Sequence, residues 1–267
     1  MTSPARSAWD ALWAGCAAYS AAGATVVHDS DVRWFATGVG YEGLNGVFIA
    51  PGTPAVPVEA ARRTFHRMGV PALWHVAVDG DRPPAQPPGV SFYEEEPLLV
   101  TRLDRYELPV VDRLSIMPVA GGAGLREWVR LWSGRESGAV FEDTVRARSA
   151  SGFTHLLAMV AGVPVGCAAT FTQGAWGEVQ HVVTVPEHRR RGIGTALTVA
   201  ALRSIGAHGA TTAVLTSSPD GVRIYRRLGF WQVGRLRRYL WSPQGNRSAA
   251  RSLVRMATET SPRRRAM

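Results

Sequence analysis

Residues 182–195 read VVTVPEHRRRGIGT, where an apolar, β-branched run is followed by a proline, three arginines and two glycines. The pattern predicts a strand that ends in a glycine-bearing turn and opens a helix over residues 192–207. Such a turn leaves backbone N–H groups unpaired at the positive end of the helix dipole, where phosphate oxygens bind. Arginines beside them add permanent charge and bidentate donors. The stretch therefore predicts a site for a phosphate-bearing ligand, although a solvated run of surface arginines is the alternative interpretation.

A second informative segment follows at residues 224–230, which read IYRRLGF. Over residues 150–241 the pattern predicts the order strand, hairpin, strand, loop, helix, strand, helix, strand. The chain has R-x-x-G-x-G at Arg189, Gly192 and Gly194, and the second segment is similar to Y-x-x-L-G-F. With both motifs it resembles the GCN5-related N-acetyltransferase (GNAT) family. The resemblance covers residues 110–241.

The resemblance implies an α+β (α/β) fold with a mixed, mostly antiparallel sheet flanked by helices. It also implies acyl transfer from acetyl-CoA as a co-substrate, without a metal ion. Backbone N–H groups of residues 190–195 would hold the pyrophosphate. The strand before the turn would splay from its neighbour and hydrogen-bond the pantetheine arm. The implied coenzyme-binding residues are Val182, Val183, Thr184, Arg189, Arg190, Arg191, Gly192, Ile193, Gly194, Thr195 and Ser218; many GNAT members carry asparagine at the position of Ser218.

Two side chains are the catalytic candidates that the resemblance implies. Tyr225 would protonate the thiolate of coenzyme A, a role suited to a phenol, unless it is a core tyrosine. Glu178 lies eleven residues before Arg189, where histone-type members carry a catalytic glutamate, and would take the amine proton. An exposed acid at a strand edge is the alternative for Glu178. Strand alternation predicts one face for Glu178, Gln180, Val182 and Thr184, and the other for a packed or surface His181.

The remaining sequence predicts a chain of two halves. Residues 1–110 resemble the degenerate N-terminal half of two-half acetyltransferases, which has lost the coenzyme site and serves as a wall of the substrate cleft. Residues 111–244 would be the catalytic GNAT domain, and residues 245–267 a disordered, arginine-rich tail. Residues 8–22 predict a packing helix, and residues 92–96 are predicted to be too acidic to bury. Five residues are expected either to line this cleft or to belong to the core: Trp34, Phe35, Asn45, Trp74 and His75.

Composition narrows the classes of partner. The 267 residues carry a formal net charge of +9, and all 30 basic residues are arginine. The charge suits coenzyme A or a nucleic acid, but no nucleic-acid reader motif is present and part of the charge lies in the tail. No apolar run is long enough to span a membrane. Cys16 and Cys167 lack metal or redox spacing and indicate buried or free thiols in a reducing cytoplasm. A homodimer is left open.

These patterns together predict an acetyl-CoA-dependent N-acetyltransferase that moves an acetyl group directly to a primary amine of an unidentified, small-molecule acceptor. Two alternatives remain. One is a transferase that uses another acyl-CoA, and the other is a non-catalytic, coenzyme A-binding regulatory module on the same fold.

Overall fold

The computed structural model describes residues 4–18, 25–28, 32–50, 53, 58–78, 86–103, 114–134, 139–150 and 152–245. The chain divides into two compact units, unit 1 from Met1–Val26 with Glu96–Arg235 and unit 2 from Val27–Glu95 with Leu236–Met267. The division into functional halves at residue 110 stays a prediction. The predicted disordered tail lies, from residue 246 onward, outside the described residues.

The elements are numbered in chain order. The helices are α1 (Pro4–Ala17), α2 (Glu59–Met68), α3 (Gly122–Ser133), α4 (Ala139–Ala150), α5 (Ile193–Ala207) and α6 (Val222–Arg227). The strands are β1 (Thr25–His28), β2 (Val32–Ala36), β3 (Asn45–Ile49), β4 (Ala72–Val78), β5 (Ser91–Arg102), β6 (Ser115–Val119), β7 (Phe153–Val160), β8 (Val163–Gln173), β9 (Trp176–Thr184), β10 (Thr212–Thr216) and β11 (Trp231–Trp241).

Unit 1 is built on strands in the order β5-β10-β9-β8-β7-β6. Neighbours are antiparallel except β9 and β10, which are parallel and joined by α5. The predicted mixed, mostly antiparallel sheet is thereby confirmed. The sheet has one face against α5, around Leu197 and Ile205. The other face packs on α3, where Trp128 Nε1 donates a 2.8 Å hydrogen bond to the Ala168 carbonyl oxygen. Burial on that face raises the pKa of the Cys167 thiol.

Helix α5 follows the predicted pattern closely. Its apolar residues recur at helical spacing, and Ile193, Leu197, Ala201 and Ile205 are all buried. Gly192 precedes it with φ 83°, and Gly209 follows it with φ 88°, a left-handed conformation that glycine adopts without a Cβ penalty. The two glycines therefore delimit the helix at the ends that the sequence predicts.

Unit 2 contains the order β1-β2-β3-β4 and the final residues of β11. Strands β3 and β4 are parallel and joined by α2. Trp34 and Trp74 are buried in its core with Phe65, and Phe35 is buried too. These aromatic residues are therefore core residues, the second of the two predicted alternatives.

The two polar candidates of unit 2 are likewise engaged inside it. Asn45 is 1% exposed, and its amide nitrogen donates to the carbonyl oxygens of Val39, Tyr41 and Pro71. The His75 ring stacks on Phe48 with 4.3 Å between ring centroids. These contacts hold Asn45 at the start of β3 and His75 within β4, which is a structural task.

Residues 92–96 belong to β5, and the prediction that they are too acidic to bury is wrong for Glu96, whereas Phe92 is exposed. Glu96 is buried, and Glu94 and Glu95 are half-buried. Arg238 donates to Glu94 over 2.8 Å, and Arg237 donates to Glu95. Paired guanidinium groups offset the cost of removing these two carboxylates from water.

Candidate functional site

Strands β9 and β10 separate inside unit 1. They pair only from Trp176 opposite Thr212 to Glu178 opposite Val214. On its other edge, β9 stays paired with β8 as far as Thr184 opposite Gly166. Among the described strands, residues 182–184 of β9 lie beyond the stretch that pairs with β10, so an extended ligand can approach their backbone on that edge. This is the slot that the sequence predicts between the two strands.

A β-bulge lies within the slot. His181 has φ 54°, and the pairing register shifts there, with Cys167 opposite Val183 but Ala169 opposite Gln180. Val182 therefore packs in the cluster around α5, while Val183 packs in the cluster around α3.

The bulge overturns the predicted alternation. Glu178 and Gln180 do not share a face with Val182 and Thr184, because the extra residue reverses the alternation beyond it. His181 turns to the α3 face, where its ring centroid lies 4.4 Å from that of Trp132. Of the two predicted alternatives for His181, packed or at the surface, the structure shows the packed one. His181 lies opposite Val182 as predicted, but the prediction that it lies opposite Glu178 and Gln180 is wrong.

The turn after β9 presents the beginning of α5. Gly192 occupies the N-cap position and, as a glycine, has no side chain with which to cap the helix. The first helical bond in the turn runs from the Ala196 N–H to the Gly192 carbonyl oxygen over 2.9 Å. The N–H groups of Ile193, Gly194 and Thr195 precede that bond, so they are oriented outward from the helix end. This geometry suits a phosphate.

The three arginines of the turn do not have the same environment. Arg189 Nε donates to the Thr184 carbonyl oxygen over 3.2 Å, which ties the turn to the end of β9. Arg190 and Arg191 are exposed, and Arg190 has φ 61°. We therefore assign a positioning role to the Arg189 side chain and retain the other two side chains as candidates for phosphate contact.

Gly194 brings three elements together. A Cβ on Gly194 would lie 3.5 Å from Ile224 Cδ1 and 3.8 Å from Thr184 Oγ1. The first turn of α5 is thus adjacent to both the end of β9 and helix α6. Ser218 is exposed in the turn after β10, and the buried Ser217 hydroxyl donates to the Ser218 carbonyl oxygen over 2.8 Å.

Tyr225 lies on α6 and is 8% exposed. Burial and the nearby Glu96 carboxylate raise the pKa of the Tyr225 phenol to about 12, against a smaller lowering by a hydrogen bond with Thr198. The phenol is therefore protonated at neutral pH and can donate a proton. Glu96 is a residue that sequence reasoning missed, because it lies in a segment that was expected to stay at the surface.

Glu178 is 7% exposed and lies on the face of the sheet opposite Tyr225. It is the last residue of β9 that pairs with β10. Helix α1 packs over it so closely that a Cβ on Gly15 would overlap the Glu178 Oε2 atom and lie 3.3 Å from Gln180 Nε2. A cavity of about 240 Å³ lies beside Glu178 under α1. The sequence predicts helix α1 but not its position over Glu178. A sequence signal for that position is Gly15, a glycine within an alanine-rich helix.

Comparison with known proteins finds a matching domain in part of the chain and a similar overall fold. Residues 135–241 match the acetyltransferase (GNAT) domain. A GCN5-related N-acetyltransferase from Kribbella flavida has a similar fold, with a TM-score of 0.67 and 21% identity over 93% of this chain and 99% of that one. A GCN5-related N-acetyltransferase from Sphaerobacter thermophilus has a TM-score of 0.52 and 15% sequence identity over 80% of this chain and 81% of that one. A tandem GNAT protein from the clavulanic acid biosynthesis pathway has a TM-score of 0.51 and 18% sequence identity over 79% of this chain and 78% of that one. No protein of curated function matches in sequence.

Residues 135–241 therefore match the GNAT acetyltransferase domain, and the chain has the GNAT fold, as the motifs around Gly192 and Tyr225 predict. Within the described residues no group of three or more His, Cys, Asp or Glu side chains is placed to hold a metal ion. The described helices include none that is both long and apolar enough to cross a membrane.

Replacing Gly192 with alanine is expected to weaken coenzyme A binding about tenfold, because an L-residue in the left-handed region costs about 1–2 kcal/mol and the turn relaxes by moving its N–H groups. Isothermal titration with coenzyme A measures the change. Gly209→Ala is the matched control, since Gly209 has a similar φ of 88° at the opposite end of α5. Equal loss of affinity in both variants would contradict a phosphate site at Gly192.

Proposed function

We propose that this protein is an acetyl-CoA-dependent N-acetyltransferase that transfers an acetyl group directly to a primary amine of a small molecule. The observation that carries the proposal is the separation of β9 from β10 after Glu178, next to the N-terminus of α5. A strand edge that diverges from its neighbour and the N-terminus of a helix, joined by one short turn, suit a ligand with an amide-bearing arm and a pyrophosphate.

The residues at the slot fit acetyl-CoA. Backbone N–H groups of residues 190–195 would hold its pyrophosphate, with charge from Arg190 and Arg191. Residues 182–184 would hydrogen-bond the pantetheine arm through the open edge of β9. Ser218 is exposed beside the slot and would contribute one further hydrogen bond. When bound, the thioester supplies an activated acetyl group.

Three groups of this chain would then act on the transfer. The backbone N–H groups of Val182 and Thr184, which flank Val183 and face away from β8, would stabilise negative charge on the carbonyl oxygen. Glu178, directly or through water, would accept the proton that the amine loses as its N–C bond forms. Tyr225 would donate its proton to the sulfur as the C–S bond breaks. Glu178 and Tyr225 lie on opposite faces of the sheet, so the carbon that binds both the amine nitrogen and the sulfur in the tetrahedral intermediate would have to lie between them, in the slot.

The strand pairing in unit 2 supports the prediction that the N-terminal half lacks a coenzyme site. Its strands β3 and β4 pair from Gly46 to Ile49, nearly the whole of β3, so they leave no slot like that of β9 and β10. Helix α2 carries Glu59 in its first turn, where a carboxylate disfavours phosphate. We therefore keep the degenerate N-terminal half as part of the proposal. Its role as a cleft wall, and the cytoplasmic location, stay predictions.

The test is turnover of acetyl-CoA with a panel of primary amines, followed as free thiol release and as acetylated product by mass spectrometry. We expect thiol and product in equal amounts, and hydrolysis without amine to be slow. Tight binding of coenzyme A with no turnover of any acyl-CoA or amine would favour the regulatory module. Faster turnover of a longer acyl-CoA would redefine the donor.

The raised pKa of Tyr225 predicts a pH profile. An acid with the ordinary tyrosine pKa of 10 begins to lose its proton about one unit below that value. Tyr225, with a pKa of about 12, stays protonated there. We expect kcat to show no alkaline fall up to about pH 9.5. Glu96→Gln, which removes the second cause of the shift, should move the alkaline fall to lower pH, whereas identical profiles would exclude Tyr225 as the acid.

A further inference from the structure

Helix α1 covers part of the site although it lies outside the residues that match the GNAT domain. The helix belongs to unit 1, where it packs on β8, β9 and β10. Gly15 allows this packing, since any side chain there would overlap Glu178. One face of the helix, with Ser7 and Asp10 three residues apart, is thereby held over the carboxylate that would act as base.

The cavity under α1 has a composition that suits a small cation. Its wall includes two carboxylates, Asp10 and Glu178, and two aromatic side chains, Phe171 and Trp176, besides Ser7 and Gln173. Carboxylates and aromatic faces both attract an ammonium group, and the aromatic rings also accept an apolar body. Its volume of about 240 Å³ is below the range of about 300–1,000 Å³ that is usual for ligand pockets.

Arg6 limits the charge that this cavity can bind. Its Nε lies 3.5 Å from Asp10 Oδ2 across one helical turn. The guanidinium group also lies over the Trp9 ring, 5.2 Å from its centroid. With Arg6 opposing one of the two carboxylates, the local charge suits one ammonium group and disfavours a polyamine.

We propose that the cavity under α1 binds the acceptor, a small monoamine with an apolar body, and that Asp10 is the residue that determines this specificity. The ammonium group lies between Asp10 and Glu178, and the apolar body lies against Phe171 and Trp176. The role as acceptor site rests on the proposed acetyl transfer, whereas binding of the amine itself does not.

The test measures binding of 2-phenylethylammonium to the full chain by isothermal titration, without acetyl-CoA. We expect saturable binding, and none of the uncharged 2-phenylethanol. Asp10→Asn should weaken binding about 10- to 100-fold, the effect of losing one charged hydrogen-bond partner. Arg6→Gln should strengthen it about two- to fivefold, because it releases Asp10 from an exposed ion pair. Opposite effects of two neighbouring substitutions exclude a general loss of fold, and thermal unfolding of both variants checks it.

Three outcomes would overturn the proposal: no binding of 2-phenylethylammonium, equal binding by wild type and Asp10→Asn, or tighter binding of spermidine or of a lysine peptide. Failure of the proposed acetyl transfer is distinguishable from failure of the proposed amine site. Binding that depends on Asp10, without acetylation of any amine, would support the cavity and contradict the transferase. Acetylation with a KM that Asp10→Asn leaves unchanged would support the transferase and contradict the cavity.

Discussion

Replacing Tyr225 with phenylalanine is expected to lower the rate of acetyl transfer at least about 100-fold, the usual contribution of a general acid. The phenol is buried on α6 and protonated, and phenylalanine keeps its ring contact with Phe230 while removing only the hydroxyl. The measurement is the single-turnover rate at saturating acetyl-CoA, which isolates chemistry from product release. The affinity for acetyl-CoA should change little.

Tyr239→Phe is the matched control. Tyr239 is also buried, 2% exposed, but belongs to the core of unit 2. Both variants lose one phenolic hydroxyl and about 1 kcal/mol of stability, which denaturant unfolding measures. A Tyr225→Phe protein that keeps its full single-turnover rate would contradict the proposed acid, and an equal loss in Tyr239→Phe would attribute the effect to stability.

The parts of the fold that the sequence predicts are those with local physical causes. Helix α5 begins and ends beside glycines in left-handed conformations, and its apolar spacing is regular, so its limits are marked in the sequence. The slot between β9 and β10 is predictable only through the family resemblance. No local pattern in β10 indicates that pairing stops at Val214.

Three features depend on contacts between residues distant in sequence. The bulge at His181 places a non-glycine residue at φ 54°, and nothing in the alternation of residues 176–184 marks it. Helix α1 is recognisable as a packing helix, but apolar spacing does not say which strand it will cover. Glu96 is buried in a run of acidic residues whose arginine partners lie on β11. Each error in the sequence prediction has its origin in tertiary contacts of this kind.

Replacing Glu178 with glutamine is the second change with a large expected effect. Glutamine has the same shape, so the packing of Gly15 against position 178 is kept while the charge is lost. As a general base Glu178 should contribute about 10²–10⁴-fold, so kcat at saturating amine should fall by at least about 100-fold. The acidic limb of the kcat/KM profile should move to higher pH, because without the base the amine must lose its proton to solvent before attack.

The proposed cavity gives Glu178 a second role, in binding, and the two roles respond differently. Loss of binding alone would raise the KM of the amine and leave kcat unchanged, as Asp10→Asn is expected to do. Loss of the base lowers kcat even when the amine is saturating, and at high pH the defect should shrink because free amine no longer needs to lose a proton before attack. Glu127→Gln, on the exposed surface of α3, is the control for a carboxylate lost elsewhere. A Glu178→Gln protein with normal kcat and a raised KM would assign this carboxylate to recognition of the ammonium group and leave deprotonation to solvent.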